Sequence, residues 1–122
     1  MSKIFCIKKL IFELKNSRRP ADIIPLYNGS DWQKYVTYGT NNLLWSNNYL
    51  ELYITGFKRD QYLIRNINYS QICSKVLEGE IKYNSNIVKL GETIIIPSFS
   101  NNKIIANIDS VSLDLHQSSY TN

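Results

Sequence analysis

The chain has 122 residues, of which 43% are hydrophobic and 20% are charged, and its formal net charge is +4. This length and composition are typical of one globular domain and exclude both a disordered chain and a multidomain protein. No apolar run approaches the roughly 18–20 residues that span a bilayer, and Lys8 and Lys9 interrupt the N-terminal segment where a signal peptide would be apolar. We therefore expect a protein of the cytoplasm, or alternatively of the nucleus, that does not contact a membrane.

The first third of the chain is predicted to be helical. An opening helix has one apolar face, formed by Ile4, Ile7, Ile11 and Leu14. Pro20 is well placed to start a second short helix that runs through Leu26. Ser30 and Gln33 match a capping box, with Ser30 as the N-cap, which predicts one helical turn over Asp31–Tyr35.

Basic residues are concentrated near the N-terminus, where six of the fourteen Lys and Arg lie within the first nineteen residues. Such a cluster is compatible with an acidic partner or with nucleic acid. No base-stacking aromatic platform accompanies it, so we expect a solvated helix face and a polar loop instead. Nucleic acid is therefore not an expected partner.

Two compositional features remain. The two cysteines, Cys6 and Cys73, give neither a disulfide framework nor a paired metal-ligand spacing, and we predict that each is a small buried hydrophobic residue. The heavy use of Asn, Ile, Tyr and Lys resembles that of proteins from A+T-rich genomes, including parasites and large DNA viruses.

From residue 43 onward, β-branched and aromatic residues dominate and predict strands. In one of them Leu50, Leu52 and Ile54 alternate with polar or aromatic residues, which predicts one face toward the core and one face outward. The apolar run Ile94–Ile96 predicts a strand that is covered on both faces. The predicted strands are Leu43–Ser46, Tyr49–Phe57, Gln61–Ile64, Ile72–Glu78, Glu80–Tyr83, Asn86–Leu90, Thr93–Ile96, Lys103–Asn107 and Val111–Leu115.

Short strands separated by turn signals, without helices between them, predict an all-β sandwich or barrel. We expect a single domain over residues 1–122. It consists of an N-terminal helical segment at 1–35 and a β-barrel at 43–116.

Two adjacent segments, KVLEGEIKY (Lys75–Tyr83) and VKLGETIIIP (Val88–Pro97), resemble the central hairpins of a cupin barrel. Together with DWQKYVTY near residue 31 and VSLDLH near residue 111, they resemble the cysteine dioxygenase family of thiol-oxidising cupins, over roughly residues 31 to 116. The resemblance implies a small jelly-roll barrel with a short helical N-terminal layer. It also implies that active members hold iron through imidazoles and a carboxylate.

The resemblance implies that these iron ligands are lost. Counted from the glycine of each motif, the positions of the four ligands are Arg65, Ile67, Ile72 and Asn102. None of these residues belongs to a competent ligand set for non-haem iron. A shift of one residue in the first motif gives Asn66, Asn68 and Cys73 instead, and this set does not restore the site.

The substrate pocket of the family also differs here. Asn47 stands at the position of the arginine that pairs with the substrate carboxylate, and an amide cannot form that bidentate pair. Asp114 stands at a histidine of the second shell, and His116, the only histidine, stands at the crosslinking tyrosine. Arg65 is predicted to pair with Asp114 or to bind an anionic ligand in the pocket, unless the strand is shifted and Arg65 points to solvent.

We therefore expect a non-catalytic cupin without a cofactor, which acts as a structural or protein-binding module through a protein partner or self-association. One alternative is an iron-dependent thiol dioxygenase with a rearranged site, in which His116 is a ligand. Another is a metal-free small-molecule binder that uses the mouth of the barrel. Candidate contact residues, with core packing as the alternative for the two tryptophans, are Trp32, Tyr35, Tyr38, Trp45, Tyr49 and Tyr62.

Overall fold

The computed structural model describes residues 31–46, 50–65, 71–97 and 102–117. These residues form one 3₁₀ turn, Trp32–Tyr35, and nine strands. The predicted helices over residues 4–14 and 20–26 lie outside the described residues. The strands are β1 (Asn41–Ser46), β2 (Leu50–Phe57), β3 (Tyr62–Arg65), β4 (Ile72–Glu78), β5 (Glu80–Tyr83), β6 (Asn86–Lys89), β7 (Thr93–Ile96), β8 (Asn102–Ala106) and β9 (Ser110–Gln117).

The all-β prediction is confirmed, and each predicted strand is present with ends that differ by two residues or fewer. Turn residues set these boundaries. Gly79 separates β4 from β5, and Asn84 starts the turn between β5 and β6, both with positive φ. Asn84 lies in the two-residue turn that joins the paired strands β5 and β6, whereas Gly79 joins β4 to β5, which do not pair with each other.

The strands form two antiparallel sheets that face each other. Sheet A has the order β1-β2-β9-β4-β7 and sheet B has the order β3-β8-β5-β6. Apolar side chains from both sheets meet between them and form one buried cluster, the interior core. Its buried members are Phe57, Ile72, Val76, Ile81, Tyr83, Val88, Ile96, Ile104 and Ala106.

A second buried cluster lies on the opposite face of sheet A. It contains Leu52 and Ile54 of β2, their neighbours Leu113 and Leu115 of β9, and Trp32 from the 3₁₀ turn. The expectation that the other face of β2 points outward is therefore wrong. The apolar face of β2 packs beneath the segment that precedes β1, and its polar face lies toward sheet B.

Residues 32–40, which we call the covering segment, make their own contacts with the sheets. Tyr38 and Gly56 form an isolated parallel bridge, and the Gly39 N–H donates to the Gly56 carbonyl oxygen at 2.8 Å. The Tyr38 hydroxyl donates to Glu78 Oε2 at 2.8 Å. Burial, assisted by this hydrogen bond, raises the pKa of Tyr38 to about 12.

The 3₁₀ turn begins one residue later than the capping box predicts. Its N-cap is Asp31, which has a left-handed backbone (φ 58°) and makes no side-chain capping hydrogen bond. Ser30 lies outside the described residues. In the part of the chain that the structure describes, no helix is long and apolar enough to cross a membrane.

The cysteine prediction needs correction. Cys73 is buried in the second cluster as expected, but it is disulfide-bonded and is not a thiol. The only other cysteine in the sequence, Cys6, lies outside the described residues. The spacing of two cysteines carries no information about their distance in space, so the sequence could not predict this bond.

Candidate functional site

A buried carboxylate lies between the two sheets. Asp114 of β9 is only 4% exposed, and its oxygens accept three hydroxyl hydrogen bonds. Ser74 Oγ donates to Oδ1 at 2.5 Å, whereas Thr55 Oγ1 and Ser112 Oγ donate to Oδ2 at 3.0 and 3.1 Å. These donors come from three neighbouring strands of sheet A, which brings them to one face.

The network extends across to sheet B. The Tyr83 hydroxyl of β5 lies 2.6 Å from Ser74 Oγ. Because Ser74 has one hydroxyl proton and donates it to Asp114, the Tyr83 hydroxyl must be the donor in this second bond. Tyr83, Ser74, Thr55, Ser112 and Asp114 thus form one directional set of hydrogen bonds, which we call the Asp114 network.

His116 shares a face of β9 with Asp114, two residues further along. Its ring centroid lies 4.9 Å from that of Tyr53, at an interplanar angle of 60°. The Tyr53 hydroxyl in turn lies 3.4 Å from Glu51 Oε1. The structure therefore brings Asp114 and His116 to one side of sheet A, as the predicted pocket requires.

The third member of that predicted pocket, Arg65, lies in sheet B opposite Asn102 in the register of β3 and β8. The structure does not describe the side chains of these two residues. Ile72 pairs with His116 on one side and with Ile96 on the other, and its side chain is buried in the interior core. Asn47 and Ile67 lie outside the described residues, as do Asn66 and Asn68.

The described interior does not fit an iron centre. A non-haem iron site uses three protein donors, typically two imidazoles and a carboxylate. Among the described residues no three His, Cys, Asp or Glu side chains come together. Asp114 is already bonded by three hydroxyls, and the apolar side chain of Ile72 occupies one position of the predicted ligand set.

The aromatic candidates divide into two groups. Trp32 and Trp45 are buried in the second cluster, so the core-packing alternative is right for both. Tyr35 and Tyr38 are half-buried against the same cluster. Tyr49 lies outside the described residues, and the side chain of Tyr62 is not described.

An open cleft of about 310 Å³ lies where the covering segment meets β2. It is lined by Gly39, Thr40, Asn41, Thr55, Gly56, Phe57 and Gln61. Thr55 belongs to both the cleft and the Asp114 network. Thr55 is therefore the residue that the cleft and the Asp114 network share.

Sequence reasoning missed the donors of the network and the residues of the cleft. A signal was present only for β9, where Ser110, Ser112, Asp114 and His116 alternate with apolar residues. Such alternation is usually read as a solvated face, whereas here that face points into the barrel. No sequence signal marks the cleft, because its residues come from different segments.

The fold is that of cupins of known structure. An RmlC-like cupin from Desulfovibrio desulfuricans matches with a TM-score of 0.62 at 17% identity, covering 71% of this chain and 92% of that chain. An RmlC-like cupin from Shewanella frigidimarina matches with a TM-score of 0.59 at 16% identity, covering 63% and 73%.

A third match is a chain in the crystal structure of Rhodobacter sphaeroides SigE in complex with the anti-sigma ChrR. Its TM-score is 0.61 at 13% identity, and the match covers 69% of this chain and 50% of that chain. No family model and no curated protein matches the sequence. The predicted cupin-type barrel is thus confirmed at the level of fold.

Proposed function

We propose that this chain is a non-catalytic cupin, related to the cysteine dioxygenases, that acts as a binding module. The observation that carries the proposal is the engagement of Asp114. An enzyme of this class needs a carboxylate or imidazole directed at a metal or substrate. Here the buried carboxylate is directed at three hydroxyls of the same sheet, which makes it part of the barrel's internal packing.

The proposal is tested by metal content. The purified chain is loaded with ferrous iron, desalted and measured by elemental analysis, and its oxygen consumption is followed with cysteine as substrate. We expect far less than one iron per chain and no thiol-dependent oxygen uptake. The physical reason is that the described interior lacks a set of three donors.

His116 provides the decisive control, because it is the only imidazole in the chain. Near-stoichiometric iron that is lost in a His116→Ala variant would refute the proposal and would establish the alternative, an iron-dependent thiol dioxygenase. Iron that is retained equally by both proteins and that supports no oxygen uptake would be surface-bound and would leave the proposal standing.

The outer face of sheet B supports a binding role. In its register Lys82 lies between Ile87 of β6 and Ile105 of β8. Ile87 is 52% exposed, and Lys89 and Lys103 on the neighbouring strands are exposed. An exposed isoleucine and a half-buried one among lysines suit a partner protein that offers apolar and acidic side chains. One structure that contains a chain of similar fold, that of SigE with the anti-sigma ChrR, is a protein complex.

Sedimentation velocity tests whether the outer face of sheet B binds a second copy of this chain or a different protein. We expect the purified chain to sediment as a monomer, because a lysine-rich face repels its own copy. A dimer that dissociates when Lys82 and Lys89 are both changed to Glu would instead establish self-association through sheet B.

The predicted cytoplasmic location has to accommodate the disulfide at Cys73, since disulfides are rare in reducing compartments.

A second function, binding of a small molecule without a metal, is favoured by one specific observation. The cleft beside β2 has a volume of about 310 Å³, at the lower end of the roughly 300–1,000 Å³ that ligand pockets occupy.

A further inference from the structure

The face of sheet A that points away from sheet B carries a row of apolar residues at one end. Leu52 of β2 pairs with Leu115 of β9. Leu115 also pairs with Cys73 of β4, whose other neighbour is Ile95 of β7. All four residues belong to the second cluster or pack against it, and Cys73 is only 3% exposed. We call them the outer row, and an apolar sheet face of this kind is buried only where another element covers it.

The contacts of Tyr38, which fix the covering segment, lie at the other end of this face. Tyr38 bridges to Gly56 and donates to Glu78, and both of these residues pair with Val111 of β9. Val111 and Leu115 are four residues apart on the same strand, which is about 13 Å. The contacts of Tyr38 therefore do not reach the outer row.

The outer row carries a covalent tether instead. Cys73 is disulfide-bonded, and the sequence contains one other cysteine, Cys6. A bridge between the Cys73 residues of two copies would bring their Cα atoms within about 7 Å of each other. The burial of Cys73 in the second cluster excludes such an approach, so Cys6 is the partner that remains.

The residues around Cys6 suit an apolar surface. Ile4, Ile7, Ile11 and Leu14 recur at helical spacing, and Cys6 lies between the first two of them. This spacing predicts one apolar face, which is the chemistry that the outer row requires of its cover.

We propose that Cys6 is the partner of Cys73 and that this bond holds residues 1–30 on the outer row as a cover, which reduction releases. Cytosolic disulfides are usually transient and either catalytic or redox-sensing, and a cover that can be released by reduction is of the second kind. The inference goes beyond the binding module proposed above, because it concerns sheet A and requires neither a metal nor the outer face of sheet B.

The reductant in this step is a dithiol. Its thiolate attacks one sulfur of the bond, and the other sulfur leaves as a thiolate and takes up a proton. The second thiol of the reagent then resolves the mixed disulfide. Two electrons pass to the protein, so both cysteines end as thiols and the reagent ends as its own disulfide.

Peptide mapping tests the connection. The purified chain is equilibrated with oxidised glutathione, unfolded in the presence of N-ethylmaleimide, digested with trypsin and analysed by mass spectrometry. We expect residues 4–8 to be linked to residues 66–75, and the two peptides should separate on reduction. Alkylated or glutathionylated cysteines in place of this pair, or a link between two copies of residues 66–75, would overturn the proposal.

Limited trypsin digestion tests the release, because Lys8 and Lys9 lie next to Cys6 in the sequence. We expect dithiothreitol to speed cleavage after these two lysines about tenfold or more while the barrel stays intact. The reason is that a disulfide typically contributes more than the about 1.4 kcal/mol to which a factor of ten corresponds. Equal cleavage rates with and without dithiothreitol, or a reduced chain that is cut throughout the barrel, would contradict the release.

Cys6→Ala is the matched variant, because it removes the bond without changing the buried Cys73. It should be cut after Lys8 and Lys9 at the rate of the reduced, unchanged chain, and dithiothreitol should not alter that rate. If the variant is cut as slowly as the oxidised chain, or if dithiothreitol still speeds its cleavage, Cys6 is not the tether and the proposal is wrong.

Discussion

Replacing Asp114 with Ala should lower the free energy of unfolding by about 3 to 4 kcal/mol. The substitution removes the acceptor of three hydroxyl groups at once, and all three lie in the buried interior. Each buried donor left without an acceptor costs about 1–3 kcal/mol, and rotation of the hydroxyls toward one another recovers part of that cost. Urea denaturation monitored by tryptophan fluorescence measures the change, since Trp32 and Trp45 are both buried.

Two further variants separate the hydrogen bonds from the removal of a charge. Asp114→Asn keeps the volume and one acceptor oxygen, and we expect a loss of about 1–2 kcal/mol. Asp60→Asn removes an exposed acid that lies 3.9 Å from Arg59, and its effect should stay within about 0.5 kcal/mol. Equal losses for Asp114→Ala and Asp60→Asn would show that the Asp114 network contributes nothing to stability.

The fold was largely predictable because the ends of its strands are determined by the residue types at the turns. Gly79, Asn84 and Gly91 adopt positive φ angles at the ends of strands, and such residues mark turns whatever surrounds them. The β-branched runs between them have few alternatives to a strand. Local signals were therefore enough for nine strands, and the motif resemblance supplied their arrangement in two sheets.

The site was less predictable because it depends on which face of sheet A is covered. Alternation along β2 shows that Leu52 and Thr55 lie on opposite faces, but it does not show which face meets the second sheet. From the alternation one expects the apolar face toward the core and the polar face outward. In the structure both faces are covered, since Trp32 and its neighbours pack over the apolar one.

Asp114 illustrates the same limit for the pocket. The resemblance placed it at a position of the second shell, and charge alone suggested Arg65 as its partner. The structure gives it three hydroxyl donors from its own sheet. Hydroxyl side chains are common in strands and carry no charge, so nothing in the sequence distinguishes these three from exposed serines and threonines.

Gly79→Ala should be as damaging as the loss of Asp114, lowering the free energy of unfolding by about 4 kcal/mol. Gly79 has φ +80°, which costs an alanine about 1–2 kcal/mol by itself. A Cβ at this position would also overlap Ser110 Oγ and lie 2.6 Å from the Asp109 carbonyl oxygen. Ser110 cannot move without loss, because it accepts the Glu80 N–H at 3.0 Å and donates to the Ile108 carbonyl oxygen at 2.7 Å.

Gly91 is the matched control for this prediction. It has a similar backbone angle, φ +86°, but a Cβ there would meet no atom within 4 Å. Gly91→Ala should therefore lower the free energy of unfolding by about 1 kcal/mol, from backbone strain alone. The difference between the two variants, measured by urea denaturation, isolates the contact between the β4–β5 turn and Ser110. If the two variants lose equal stability, that contact relaxes freely, and Gly79 is required only for its backbone angle.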